Sequence, residues 1–249
     1  MLKITSSWDD GDILDLKLAE LLSRYGMKGT FYVAKDYRPK RLSEDDIRTL
    51  AKTHEIGAHT LTHPDLRTVS TIKRYQEIKG SKEWLEGLLS TEIKMFCYPK
   101  GLHDHAVAEA VKNTGFIGAR TTRLGSIKTP SAPYHLETTI QVYPFPFRKL
   151  DREKFYLGKL FDPYKDRSPA LRRLGVSRLS MYSWLSTARA AFNIAHKHGG
   201  VFHLYGHSWE IEKYGMWHEL EKLLRYIKEK QTGIHLTNGE LVNDRHELI

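Results

Sequence analysis

Cysteine is nearly absent from this 249-residue chain: Cys97 stands alone, which excludes an internal disulfide and any thiolate cluster for zinc. No apolar run reaches the roughly 18 residues that a membrane-spanning helix needs. The opening MLKITSSWDDG carries no apolar stretch of the kind that leads a secreted chain, so a cytoplasmic location is expected. Internal repeats and low-complexity tracts are missing too, which argues against a solenoid. Negative charge is short: 30 acidic residues face 39 Lys and Arg, a net charge of +9. That balance favours an anionic substrate, or peripheral contact with an anionic membrane surface, through long-range attraction. It does not point to nucleic acid, because no recognition motif or base-stacking set of aromatics accompanies the charge. Nothing in the sequence sets the oligomeric state.

What is present is the composition of a globular protein, 40% apolar and 28% charged, with thirteen histidines. Extended and helical patterns alternate along it. Leu2 to Trp8, Gly29 to Ala34, EIGAHT (55–60), KMFCYP (94–99), FIGAR (116–120), TTIQVYP from Thr138 and VFHLYG (201–206) read as seven strands. GIHLT (233–237) is a last short extended piece. Helical periodicity covers Ile13 to Tyr25, a stretch after the N-cap Ser43, Thr71 to Leu89, His105 to Asn113, Leu179 to His198 and Trp217 to Glu229. Repeated βα units predict an α/β parallel sheet, wound open or closed into a barrel. The polar residues cluster just after the strands, at Asp9 and Asp10, His59 and His63, Lys100 and His207. Four strand ends supplying one polar set favour the barrel, whose chemistry sits at that edge.

The tandem acids Asp9 and Asp10 precede Gly11. Adjacent side chains on a strand point to opposite faces, so both reach one site only if the strand ends and twists there. A solvated loop is the plain alternative. His59 and His63 are four apart, a spacing that in a helical turn brings two imidazoles to one ion. One aspartate can supply the third ligand and the other can act on water, although HxxxH also arises by chance. The turn Tyr98-Pro99-Lys100-Gly101 can present backbone N–H groups to an oxyanion, or can be an ordinary turn. Near VFHLYG, His203 reads as a buried hydrogen-bonded histidine, whereas His207, beyond Gly206, is better placed for a cleft.

Taken in order, these pieces resemble the polysaccharide deacetylase family, the NodB-homology domain of carbohydrate esterase family 4. SWDDGD (7–12) is similar to its first motif, HTLTH (59–63) to its second, CYPKG (97–101) to its third, and LYGH (204–207) to its last. The resemblance covers Leu2 to about Gly125, returns near Val201, and is poor between Tyr134 and Ser180. It implies one catalytic domain over 1–249, a distorted (β/α) barrel of seven strands. It further implies Asp9 as general base, and Asp10, His59 and His63 as ligands of one divalent ion, zinc by its N/O donors, with cobalt or nickel as alternatives. His207 becomes the general acid, and the turn at Tyr98 and Lys100 the oxyanion or substrate contact, through the Lys100 N–H.

Two departures stand out. The family's motif-three arginine, partner of the base, is Cys97 here. The acid that orients the catalytic histidine has no clear counterpart, with Asp151, Asp162 and Asp166 as candidates. The expected reaction is metal-assisted hydrolysis of an N-acetylated sugar, be it oligosaccharide, nucleotide sugar or glycolipid. Hydrolysis of a ureide or cyclic imide is the alternative, slightly favoured by the missing arginine. A non-catalytic carbohydrate-binding relative is the second. The basic segment 144–180 reads as an insertion: either a solvated surface, or a lid whose arginines, Arg172 and Arg173 among them, take an anion on the substrate.

Overall fold

Strand β1 (Leu2–Asp10) is buried along nearly its whole length although six of its nine residues are polar, so it must have a polar interior to face. In this computed structural model residues 1–148 and 159–244 are described. The other strands are β2 (Thr30–Val33), β3 (Glu55–Ala58), β4 (Met95–Cys97), β5 (Gly118–Arg120), β6 (Ile140–Gln141), β7 (Gly200–Gly206) and β8 (Ile234–His235). The helices are α1 (Asp15–Arg24), α2 (Glu44–Ala51), α3 (Thr71–Leu89), α4 (His105–Asn113), α5 (Asp162–Leu174), α6 (Trp184–His198), α7 (Ser208–Tyr214), α8 (Trp217–Glu229) and α9 (Asn238–Asn243). Seven strands run parallel in the order β5-β4-β3-β2-β1-β7-β6, and β8 joins β1 at Lys3 and Ile4.

The sheet curls into the distorted barrel that the family resemblance implies. Between its edges lies the segment leading into β6. Leu136 N–H donates to Ala119 on β5 at 2.9 Å, and Thr139 N–H donates to His203 on β7 at 2.9 Å. One irregular stretch thus spans the gap between the two ends of the sheet. Outside, Ile4, Trp8, Leu18, Leu22 and Phe31 belong to the large apolar core under the helices. Inside, Thr5, Ser7 and Asp9 alternate along β1 and meet Asn238, His203 and Arg120 respectively. Helix α9 sits where the strands begin: Asn238 N–H donates to Thr30, and Gly239 N–H to Glu55.

Local chemistry explains most of the helix limits. Ser43 and Asp46 form a reciprocal capping box on α2, and Ser70 caps α3. The helix expected from Leu179 instead starts at Trp184, where Ser183 accepts the Ser186 N–H; Leu179 sits in an exposed single turn, Arg178–Ser180. Within the basic segment, α5 begins with Pro163 in its first turn and ends at the left-handed Gly175. Pro169 inside it interrupts the period that would have revealed it. Arg172 and Arg173 are exposed in its last turn, one turn past the point where Ala170 meets Gly125. Residues 149–158 of the basic segment, the candidate Asp151 among them, lie outside the described residues.

Candidate active site

Asp9 and Asp10 end β1 on opposite faces, and the backbone reconciles them. Asp9 points into the barrel, while Asp10 at φ 85° and Gly11 at φ 69° turn the chain so that Asp10 also reaches the mouth. A side chain at position 11 would collide with Val33, its Cβ falling 2.8 Å from Cγ1.

His59 and His63 meet as well, but not on a helical turn. They flank a loop after β3 in which Thr60 (φ 68°) and His63 (φ 58°) are left-handed. The loop is held from beneath by the buried Glu77 of α3, whose carboxylate accepts from Leu61 N–H (2.9 Å), Thr62 N–H (2.8 Å) and the Thr62 hydroxyl (2.7 Å). Asp10 Oδ1 lies 3.7 Å from Nε2 of each histidine. The three donor atoms fall within 4.8 Å of one another.

This trio suits a divalent ion. At 3.7 Å the nitrogens are too far from Asp10 for a hydrogen bond, yet all three groups are buried and converge. His59 Nδ1 lies 2.8 Å from the Cys97 carbonyl, which can only accept, so Nδ1 carries the proton and Nε2 keeps its lone pair. Burial, with His59 alongside, pushes His63 down to about 4, and burial lowers His59 too. Neutral imidazoles beside a carboxylate are the donors a catalytic zinc takes. Asp10 is oriented by the Trp209 indole, which donates to Oδ2 at 2.8 Å and leaves Oδ1 toward the histidines. Tyr37 stacks on His63 at 4.0 Å between centroids.

Asp9 is paired with an arginine, though from an unexpected strand. Arg120, the last residue of β5, is fully buried and donates to Asp9 Oδ1. Its guanidinium sits 5.3 Å from the Tyr32 ring centroid and 5.0 Å from that of Tyr205. Cys97 occupies the other side, its Sγ 3.9 Å from Asp9 Oδ2. Burial alone would raise the Asp9 pKa, but the charges of Arg120, His59 and His207 prevail and lower it.

His207, just beyond β7, places Nε2 3.9 Å from Asp9 Oδ2. Its Nδ1 lies 2.7 Å from Glu210 Oε2. Neither Asp162 nor Asp166 orients it: Asp162 starts α5 and Asp166 is exposed on it. Burial lowers the His207 pKa, yet the hydrogen bond and charge of Glu210, with Asp10 and Asp9 nearby, outweigh burial and raise it to about 9. His203 is the opposite case, buried against the Ser7 hydroxyl at 2.8 Å and pushed down to about 3 by burial and Arg120.

The turn at Tyr98–Gly101 borders the same mouth. Lys100 is left-handed (φ 58°) with its side chain exposed. Gly101 is obligatory, because a Cβ there would fall 2.1 Å from Thr122 Oγ1. The Tyr98 ring is buried and stacks on His103 at 4.3 Å, and its hydroxyl donates to the Tyr134 carbonyl at 3.1 Å.

Sequence reasoning missed Arg120, Glu210, Trp209 and Glu77. An arginine ending the otherwise apolar FIGAR, and an acid three residues beyond His207, were visible signals.

Comparison with known proteins agrees with the motifs. Residues 3–119 match the family model described as polysaccharide deacetylase. YxkH of Bacillus subtilis (strain 168), a polysaccharide deacetylase by name, is 26% identical over 119 residues, 47% of this chain and 43% of that protein. The chain therefore matches less than half the length of this curated relative. A Streptococcus pyogenes deacetylase, PplD, solved in complex with acetate, is similar in structure with TM-score 0.51 and 21% identity, over 53% of this chain and 62% of that one. A crystal structure from Mycobacterium smegmatis, also a polysaccharide deacetylase by name, aligns over 100% of this chain and 91% of its own, with TM-score 0.71 and 14% identity. Over residues 3–119 the sequence is similar to the polysaccharide deacetylases, and over the whole chain the fold is similar to that of the Mycobacterium smegmatis structure.

Proposed function

We propose that the protein is a metal-dependent hydrolase that removes the acetyl group from an N-acetylated sugar. The observation that carries this reading is a pair of ionisable groups driven to opposite protonation states beside the Asp10–His59–His63 trio. Asp9 is held anionic by Arg120 and His207 is held cationic by Glu210, with 3.9 Å between Oδ2 and Nε2. Two titratable groups pushed apart in this way mark a base and an acid. Asp10, His59 and His63 would hold the ion, which when bound supplies Lewis acidity toward the acetamide carbonyl and acidifies water.

The chain's own residues do the rest. Asp9 Oδ2 accepts the proton of the attacking water, while Arg120 keeps Oδ1 engaged. His207 donates its Nε2 proton to the departing amine, which would leave poorly as an anion. Glu210 holds the imidazolium with Nδ1 turned away, so the proton available for transfer is the one on Nε2. The products are acetate and a free amino sugar. The Lys100 N–H is assigned to the carbonyl oxygen as it gains charge. With Arg120 in place, the absence of arginine at position 97 no longer favours a ureide or cyclic imide.

An acetate-release screen over N-acetylglucosamine, its oligomers, nucleotide sugars and glycolipids tests the proposal. Equimolar acetate and amine from one class supports it. Ammonia or carbamoyl products from ureides, with no acetate from any sugar, would replace it.

A further inference from the structure

The general acid's carboxylate is itself braced, and the brace comes from the segment least like the family. Arg167, on α5, donates from Nη2 to Gln141 Oε1 at 2.8 Å. Arginine has no acceptor, so the Gln141 amide cannot be turned round: its oxygen must face Arg167. Its NH2 therefore faces Glu210, with Nε2 3.5 Å from Oε2, the same oxygen that engages His207 Nδ1 at 2.7 Å. Gln141 is fixed at its other end too, since Trp184 Nε1 donates to its carbonyl at 2.7 Å. Arg167 in turn lies over the Tyr143 ring, 4.4 Å from its centroid.

We infer that Arg167 is a positioning residue for the general acid, acting in series through Gln141 on Glu210 and so on His207. This rests on the deacetylase reading above. Three side chains from α5, β6 and α7 form one line ending at the imidazole, and each link fixes the orientation of the next. Without Arg167 nothing holds the Gln141 amide oxygen, and Nε2 is no longer kept facing Glu210. Glu210 Oε2 would then lose its fixed position, and His207 Nε2 would lose its aim at the leaving group. Arg172 and Arg173 share the helix and the charge but have no part in the line.

The test compares an N-acetyl sugar with an aryl acetate, whose phenolate leaves without a proton. Arg167→Met keeps the aliphatic stem over Tyr143, and Gln141→Leu keeps the volume. Each should lower kcat on the amide about tenfold, a fraction of the ~10²–10⁴ a general acid supplies. KM should stay within about twofold, and the aryl acetate rate should change far less. The double variant should be no slower than either single one, because the residues act in series. Arg167→Lys should recover part of the loss, and Arg172→Ala should be unchanged. Equal losses on both substrates, or losses that multiply in the double variant, overturn the inference while leaving the deacetylase reading intact. A wild type that hydrolyses neither substrate overturns both.

Discussion

Arg120 and Asp9 stand on strands four places apart in the sheet, β5 and β1, and meet across the interior of the barrel. Position 97 on β4, where the resemblance implies an arginine, holds Cys97, whose sulfur lies on the other side of Asp9. Arg120, one strand over on β5, supplies the charge that reaches this carboxylate.

Removing that arginine should therefore be costly twice. Arg120→Met leaves Asp9 buried without its partner, and breaking such a pair costs about 3–5 kcal/mol. Denaturant unfolding should show this, with acetate release largely lost. Adding Cys97→Arg to the same variant should restore part of both, since either position faces Asp9. Unchanged stability in Arg120→Met would show that the pair is not what holds Asp9 ionised.

The two aspartates should separate by metal content. Asp9→Asn should retain near wild-type metal while kcat falls by ~10²–10⁴-fold, the range of a lost general base. Asp10→Asn and His59→Ala should lose the ion itself. Trp209→Phe removes only the indole donor to Asp10 Oδ2, so metal affinity should fall by ~10–100-fold with the ligands still in place. Metal analysis after dialysis checks all four, and equal loss in Asp9→Asn and Asp10→Asn would undo the assignment.

The pH profile should report His207. Its proton is retained until about pH 9, so kcat/KM should fall as pH rises through that value. Glu210→Gln removes the charge that raises the group and leaves burial, which lowers it. The alkaline limb should then move down toward, or below, the ordinary 6.5. A limb that stays near 9 in this variant would mean that another group carries the proton.

The barrel was legible because its βα alternation is strong, and α3, α4 and α8 fall at the limits their periodicity gives. The short α7 and α9 were not, having too few residues to show a period. Asp10, His59, His63 and His207 were readable as a spaced set, but the geometry joining them was not. Positive φ at Thr60 and His63 does what a helical turn was expected to do, and non-glycine residues do not announce that conformation. The partners Arg120 and Glu210 escaped for a related reason. The motif pattern points to other positions for them, whereas a buried charge needs only a partner in space.

Metal-free protein titrated with zinc, with acetate and amine quantified from the preferred N-acetylated sugar, tests the central claim most directly. Acetate release should start from near zero and saturate at one ion per chain, and Asp9→Asn should bind the same single equivalent while releasing almost none. Full acetate release by metal-free protein, or unimpaired release by Asp9→Asn, would contradict the account.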